Sequence, residues 1–334
     1  MVSHVLCLGN IDLKCSASAA DDYDQNGTLR QAAKFNAEND AIILSEAMKG
    51  LNIDEKAIID ILANRTNNQR QDIEQKFKTC FGKALTEELK CKLGGKFKDV
   101  MIDLMWTPEE FDSYELKNAM TGICTDRDAM IEILCSRNNA QIQKINEAYL
   151  RMYKWRLEQD IINETSGHFK ELMVSLANGE RMENQAVDMN KANSDAQFLV
   201  QAEISKMGTE KSRMIEIMAL QSYEQLRALF NEYTSISGRS IEMSEILDVE
   251  MLPVIECVRH RPGYFAKKIY KSMKDASTDH RTLIRIMVTR AEVDMEQIKQ
   301  VFQKMYGQSL EQFVRDAVSS EYSRVILGMI GAGY

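Results

Sequence analysis

Proline is nearly absent from this chain. Pro108, Pro253 and Pro262 are the only three in 334 residues, and aromatic residues make up only 7%. Together with 20 methionines and many Leu, Ile, Ala, Glu and Lys residues, this scarcity points to a mostly helical protein. The seven cysteines, at 7, 15, 80, 91, 124, 135 and 257, are odd in number and scattered. No CxxC pair or histidine at ligand spacing accompanies them, which excludes a zinc site or a disulfide framework and fits a reducing cytosol. The opening residues Met1 to Gly9 lack a basic stretch and carry too short an apolar run for a secretory signal. No run approaches the ~20 apolar residues of a membrane span. GxSxG, Walker and HExxH motifs are missing, so no enzyme is expected. His4, His168, His260 and His280 have no partner arrangement and are expected to face solvent. Excess positive charge is lacking too: at a net charge of -8 the chain is repelled by nucleic acid and by anionic membrane unless a cation intervenes. Arg259-His260-Arg261 reads as a solvated turn, and Asn26-Gly27-Thr28 as a chance glycosylation triplet.

What is present is a unit repeated four times. With Gly50, Gly122, Lys206 and Asp275 as origins, the apolar pairs Ile61-Leu62, Ile133-Leu134, Ile217-Met218 and Ile286-Met287 precede Arg65, Arg137, Gln221 and Arg290. Further on, Phe81-Gly82, Tyr153-Lys154, Ser237-Gly238 and Tyr306-Gly307 fall in register, followed by Leu85, Leu157, Ile241 and Leu310. The origins lie 72, 84 and 69 residues apart, so the middle gap holds extra residues, in the polar stretch from Asn178 to Asp195. The third copy is short around Glu245 to Pro253.

Within the first copy the apolar spacing predicts five short helices, through Leu44-Ala47-Met48, Ile58-Ile61-Leu62, Ile73-Phe77-Phe81, Leu85-Leu89-Leu93 and Phe97-Met101-Leu104. Thr107-Pro108 reads as the start of the second copy, and Thr125 to Asp128 as a capping box on its second helix. The reading is an all-α chain: a head at 1–39, repeats at 40–106 and 110–178, an extended polar linker at 179–193, and repeats at 194–262 and 264–334.

The segments Ala47 to Glu55, Asn67 to Gln71, Glu164-Thr165-Ser166-Gly167 and Met273 to Asp279 resemble the annexin repeat, and the similarity spans about residues 40 to 334. The resemblance implies four five-helix domains in a slightly curved disc. It also implies Ca2+ loops on the convex face that dock on acidic, phosphatidylserine-rich phospholipid membranes.

Calcium takes 6 to 8 hard oxygens, and this design draws carbonyls from a loop and one bidentate carboxylate from a distant residue. In repeat 2 these are the carbonyls of Met120, Gly122 and Cys124 and the carboxylate of Glu164, forty-two residues after Gly122. Cys124 stands where the family usually has glycine; if that residue needs positive φ, its β-carbon costs ~1–2 kcal/mol. Repeat 1 keeps the loop, Met48, Gly50 and Asn52, but Lys92 occupies the carboxylate position and repels a cation. In repeat 3 Lys206 and Gly208 fit the pattern, with Thr209 opening the next helix and either Asp248 or Glu250 as the carboxylate. In repeat 4 Asp275 and Ser277 replace both glycines, Ala317 takes the carboxylate position beside Asp316, and no site is expected. Leu51, Ile123, Met207 and Ala276 follow the origins and either enter the headgroup region or pack on the adjacent loop. Asp112, Glu115, Glu132, Arg137 and Arg285 match the charged central axis of the annexin disc, where ion conduction has been proposed; a buried ion network holding two halves together is the stronger reading.

The function expected is calcium-dependent binding to acidic phospholipid, serving membrane scaffolding, aggregation or repair. The alternative is an annexin-fold structural or interaction protein that has largely lost calcium binding; under either reading cytoskeletal or self-association partners are left open. The expected location is cytoplasmic, peripheral to membrane when calcium rises, with unconventional export to the cell surface or beyond left open. Cys15, Ser16 and Ser18 in the head are either regulatory or filler.

Overall fold

The apolar stripes bury one another in a computed structural model that describes residues 26–332 except 51, 123, 206–209, 246, 276 and 319. In repeat 1 they lie on α1 (Ala37–Ala47), α2 (Glu55–Leu62), α3 (Asn67–Phe81), α4 (Leu85–Lys92) and α5 (Gly95–Leu104). Leu44, Ile58, Leu62, Ile73, Leu89 and Met101 are wholly enclosed. Helices this short are marginal alone, so their stability comes from that shared core.

Repeat 2 follows the same order in α6 (Pro108–Met120), α7 (Arg127–Ser136), α8 (Asn139–Tyr153), α9 (Leu157–Glu164) and α10 (Gly167–Ala177). Thr107 and Pro108 open α6 as the sequence predicts. Repeat 3 has α11 (Met189–Ser205), α12 (Glu210–Leu220), α13 (Tyr223–Ser237) and α14 (Leu252–Arg259). Its fourth helix is replaced by two single 3-10 turns, Ile241–Met243 and Val249–Met251, which is how the shortened sequence is accommodated. Repeat 4 is α15 (Arg261–Met273), α16 (His280–Arg290), α17 (Met295–Tyr306), α18 (Leu310–Ala317) and α19 (Ser320–Met329).

The third helix of every repeat ends in the left-handed region. Gly82, Gly238 and Gly307 supply it at no steric cost, with φ of 69°, 72° and 73°, whereas repeat 2 places Lys154 there at φ 58°.

Several local expectations are revised. The linker is shorter than 179–193, because α11 starts at Met189, and residues 179–188 are pinned rather than loose. Met182 N–H donates to Leu220 O at 2.6 Å, and Asp188 N–H donates to the Gln225 side chain at 2.8 Å. The α7 cap is Asp126, whose carboxylate accepts from Ala129 N–H at 3.0 Å, not a box from Thr125 to Asp128. His260 is no solvent-facing side chain: its Nδ1 caps α15 by accepting from Gly263 N–H at 2.9 Å. Burial, then the Arg227 and Lys304 charges, lower its pKa, which suits an acceptor. Arg259 and Arg261 are likewise built into the α14–α15 junction, Arg259 on Glu242 and over the Phe230 ring, Arg261 over Tyr223. Asn26 to Thr28 is a latch onto repeat 4. Asn26 N–H donates to Val293 O, Thr28 Oγ1 donates to Met329 O at 2.6 Å, and a β-carbon at Gly27 would lie 2.4 Å from the Glu292 backbone. Cys15, Ser16, Ser18 and His4 lie outside the described residues.

The repeats pair across the sequence order. α2 and α5 of repeat 1 pack on α16 and α19 of repeat 4, while α7 and α10 of repeat 2 pack on α12 and α14 of repeat 3. The linker at 179–188 joins repeats that are already neighbours.

Candidate metal centre

Three of the four loops close by the same backbone device. Asp54 N–H donates to Ala47 O at 2.9 Å, Asp126 N–H to Ala119 O at 2.7 Å and Asp279 N–H to Ser272 O at 2.7 Å. Each aspartate then caps the following helix, accepting from Ala57, Ala129 and Thr282 N–H respectively. One residue thus seals the loop behind it and starts the helix ahead of it. Sequence reasoning passed over these residues, although the signal was there: an aspartate four positions after three of the four origins.

In repeat 2 the sealed loop turns through Gly122 at φ 129°, a backbone conformation that L side chains rarely adopt, with open space where a β-carbon would stand. Met120 is buried at the end of α6 and Cys124 is exposed with a free thiol. Thr125 Oγ1 donates to Glu164 O at 3.2 Å, which fastens the end of α9 to the loop. Glu164 is exposed, and among the described residues no cation lies within ion-pair distance of its carboxylate. Main-chain carbonyls of a sealed loop and a carboxylate on the helix end fastened to it are hard oxygens, the donor type calcium takes. Clusters of three or more acidic, cysteine or histidine side chains able to hold a metal are lacking among the described residues, as expected where most donors are main-chain oxygens.

The other repeats differ at one structural position. Glu164 is the last residue of α9, Lys92 the last of α4 and Ala317 the last of α18. Repeat 1 has Gly50 at φ 80° in open space, with Met48 buried and Asn52 exposed, but it presents an exposed ammonium at that position. In repeat 4 Ala317 offers no side-chain oxygen, Asp316 accepts from Gln312 at 2.8 Å, and Asp275 and Ser277 are exposed. In repeat 3 no helix end exists to present a carboxylate. Asp248 accepts from Lys211 Nζ at 2.7 Å and lies 3.8 Å from His168 Nδ1, while Glu250 accepts from Arg127. Both rival carboxylates are therefore already engaged by cations. Lys206, Met207, Gly208 and Thr209, like Leu51, Ile123 and Ala276, lie outside the described residues.

A family model described as Annexin matches residues 39–104, 111–176, 194–244 and 264–329. The chain belongs to the annexin family. The third match ends at 244, just where the 3-10 turns replace a helix. This annexin is 40% identical to annexin A4 of Rattus norvegicus over 313 residues, which is 92% of this chain and 98% of that one. It is 41% identical to annexin A7 of Homo sapiens over 311 residues, 91% of this chain and 64% of that one. It spans 66% and 62% of the annexin A7 and A11 relatives it also matches, from Macaca fascicularis and Homo sapiens. Among solved structures, annexin III superposes with a TM-score of 0.90 at 37% identity, covering 94% of this chain and 99% of that one. Calcium-bound annexin (Sm)1 superposes with a TM-score of 0.81 at 26% identity, covering 93% and 94%.

The charged residues expected at the annexin axis do not form one network. Asp112 and Arg137 make a buried bidentate pair at 2.7 and 2.8 Å inside repeat 2. That pair recurs as Asp40–Arg65 in repeat 1 and Asp195–Gln221 in repeat 3. In repeat 4 Arg290 lies over the Phe265 ring and turns to Asp294 instead. Glu132 and Arg285 form the inter-repeat pair, bidentate at 2.9 Å, with Lys268 Nζ 2.8 Å from Glu132. Glu115 joins through Arg285 at 3.3 Å and through Arg281, which also holds Asp103 at 2.6 Å. A cavity of about 560 Å³ beside this cluster is lined by Asp103, Tyr114, Glu115, Asp126, Arg281 and Arg285. Burial alone would raise the Glu132 carboxyl, but the Arg285 and Lys268 charges outweigh it and hold the group at about 2. At Asp103 burial wins over Arg281 and pushes the carboxyl up to about 6.

Proposed function

We propose that this annexin binds acidic phospholipid surfaces in a calcium-dependent way, through the loop of repeat 2. The observation that carries the reading is the bond from Thr125 to the Glu164 carbonyl, which fastens the end of α9, with its exposed carboxylate, to the loop that turns through Gly122. Membership of a calcium- and phospholipid-binding family, and the likeness to calcium-bound annexin (Sm)1, support it. Met120, Gly122 and Cys124 would supply carbonyls, and Glu164 the bidentate carboxylate. Calcium, when bound, supplies positive charge and open coordination positions that a lipid phosphate can fill. The protein's part is to present the donors: Asp126 seals the loop, Gly122 gives it its turn, and α9 delivers Glu164. A chain of net charge -8 gains membrane affinity only once that charge is bridged.

The alternative, an interaction protein that has largely lost calcium, draws on the other three loops, where Lys92, Ala317 and the ion-paired Asp248 and Glu250 stand at or near the carboxylate position. Co-sedimentation with phosphatidylserine vesicles separates the readings. The membrane reading expects pelleting in calcium and release by chelator; pelleting that ignores chelator, or none at all, favours the alternative.

A further inference from the structure

Among the described residues, the most exposed large apolar side chains lie in repeat 3. Val249, Ile204 and Met243 are 78%, 70% and 68% exposed, the three highest values for large apolar side chains among the described residues. Isolated exposed apolar residues are ordinary, but these fall in one short region around the collapsed fourth helix. Glu245 N–H donates to the Glu203 carboxylate at 2.8 Å, which brings the end of α11, and with it Ile204, to the segment that carries Val249.

The neighbours of Val249 fix where it stands. Asp248 reaches His168, four residues beyond Glu164, and Glu250 binds Arg127, the residue after Asp126. Val249 therefore stands between a close approach to the segment after Glu164 and an ion pair with the residue after Asp126. The carboxylates next to the two apolar tips are paired. Glu203 beside Ile204 pairs with Arg239 at 2.6 Å, and on either side of Val249 Asp248 pairs with Lys211 at 2.7 Å and Glu250 with Arg127. A bare carboxylate there would be repelled by an anionic bilayer, whereas an apolar tip with a neutralised rim is suited to the headgroup boundary.

We propose that Val249 and Ile204 form an apolar wedge that enters the phospholipid headgroup region beside the repeat 2 loop, so that repeat 3 contributes hydrophobic contact in place of a calcium ion. The inference rests on the membrane-binding reading above, and its test separates the two. Val249→Trp adds a third tryptophan to Trp106 and Trp155. With phosphatidylserine and phosphatidylcholine vesicles carrying brominated acyl chains, calcium should produce quenching of this variant beyond that of the wild type. Val249→Ser and Ile204→Ser should each weaken vesicle binding about three- to tenfold at fixed calcium, with unchanged thermal melts and binding still reversed by chelator. Trp155→Ser, 50% exposed at the opposite end of α9 from Glu164, should bind like the wild type. If the wild type pellets in calcium while Val249→Trp shows no added quenching and the serine variants bind normally, the wedge is overturned and the calcium reading stands. If the wild type does not pellet in calcium at all, both fall.

Discussion

Lys154 holds a left-handed backbone at the end of α8 where the other three repeats place glycine. Its β-carbon is strained there, and its ammonium contact to Arg151 O at 3.0 Å is exposed and replaceable. Lys154→Gly should stabilise the protein by about 0.5–1 kcal/mol, read from the urea midpoint, the relief of strain exceeding the added backbone freedom of the unfolded chain. Two buried carboxylates set the acid behaviour with opposite signs. Glu132, held at about 2, lies below its unfolded value of about 4.3, so its contribution is complete above that value and is lost as pH falls towards 2. Asp103, raised to about 6, holds its proton more tightly in the folded state, so its contribution is present below an unfolded value of about 3.9 and is lost as pH rises through 6. Unfolding midpoints should therefore climb from about pH 2 to 4 and then decline shallowly through about 6, and Asp103→Asn should reduce the decline while leaving the climb, Glu292, also raised by burial, keeping part of the decline.

At the scale of the element, the proposed function makes the end of the fourth helix the position that separates a loop able to hold an ion from one that is not. Lys92 and Glu164 occupy the same place on α4 and α9, after loops that both turn through a glycine of positive φ. Lys92→Glu should give repeat 1 a working centre and lower the calcium needed for half-maximal vesicle binding about tenfold; calcium titration of the variant against the wild type checks this. The helices themselves were legible because apolar residues recur with helical spacing in four registers, and every stripe named for repeat 1 lies on an observed helix or directly at its end. The collapse of the fourth helix in repeat 3 was visible only as missing residues. Its outcome, two 3-10 turns whose carboxylates turn to Lys211 and Arg127, depends on contacts with repeat 2 that no local pattern encodes. The cap on α7 was misassigned for a similar reason: the Thr125 hydroxyl is engaged 39 residues away, at Glu164, and Asp126 takes its place.

At the scale of the whole molecule, repeats 1 and 4 form one packed pair and repeats 2 and 3 another. Arg285 of repeat 4 and Glu132 of repeat 2 bridge them from a site where both are 1% exposed. Removing one member of a buried pair leaves an uncompensated charge, so Arg285→Met should cost about 3–5 kcal/mol, softened by the remaining Lys268 contact and measurable as a lowered melting temperature. The charged positions expected at the axis were found in the sequence, but their division into a repeated Asp–Arg pair and a separate bridge needed the packing. If one loop, closed by Asp126 and completed by Glu164, couples calcium to membrane, neutralising that carboxylate must raise the calcium requirement. The most direct test is the calcium concentration for half-maximal binding to phosphatidylserine vesicles, compared between the wild type and Glu164→Gln. A rise of at least about tenfold is expected in the variant, with an unchanged melt in chelator. An unchanged calcium requirement would contradict it.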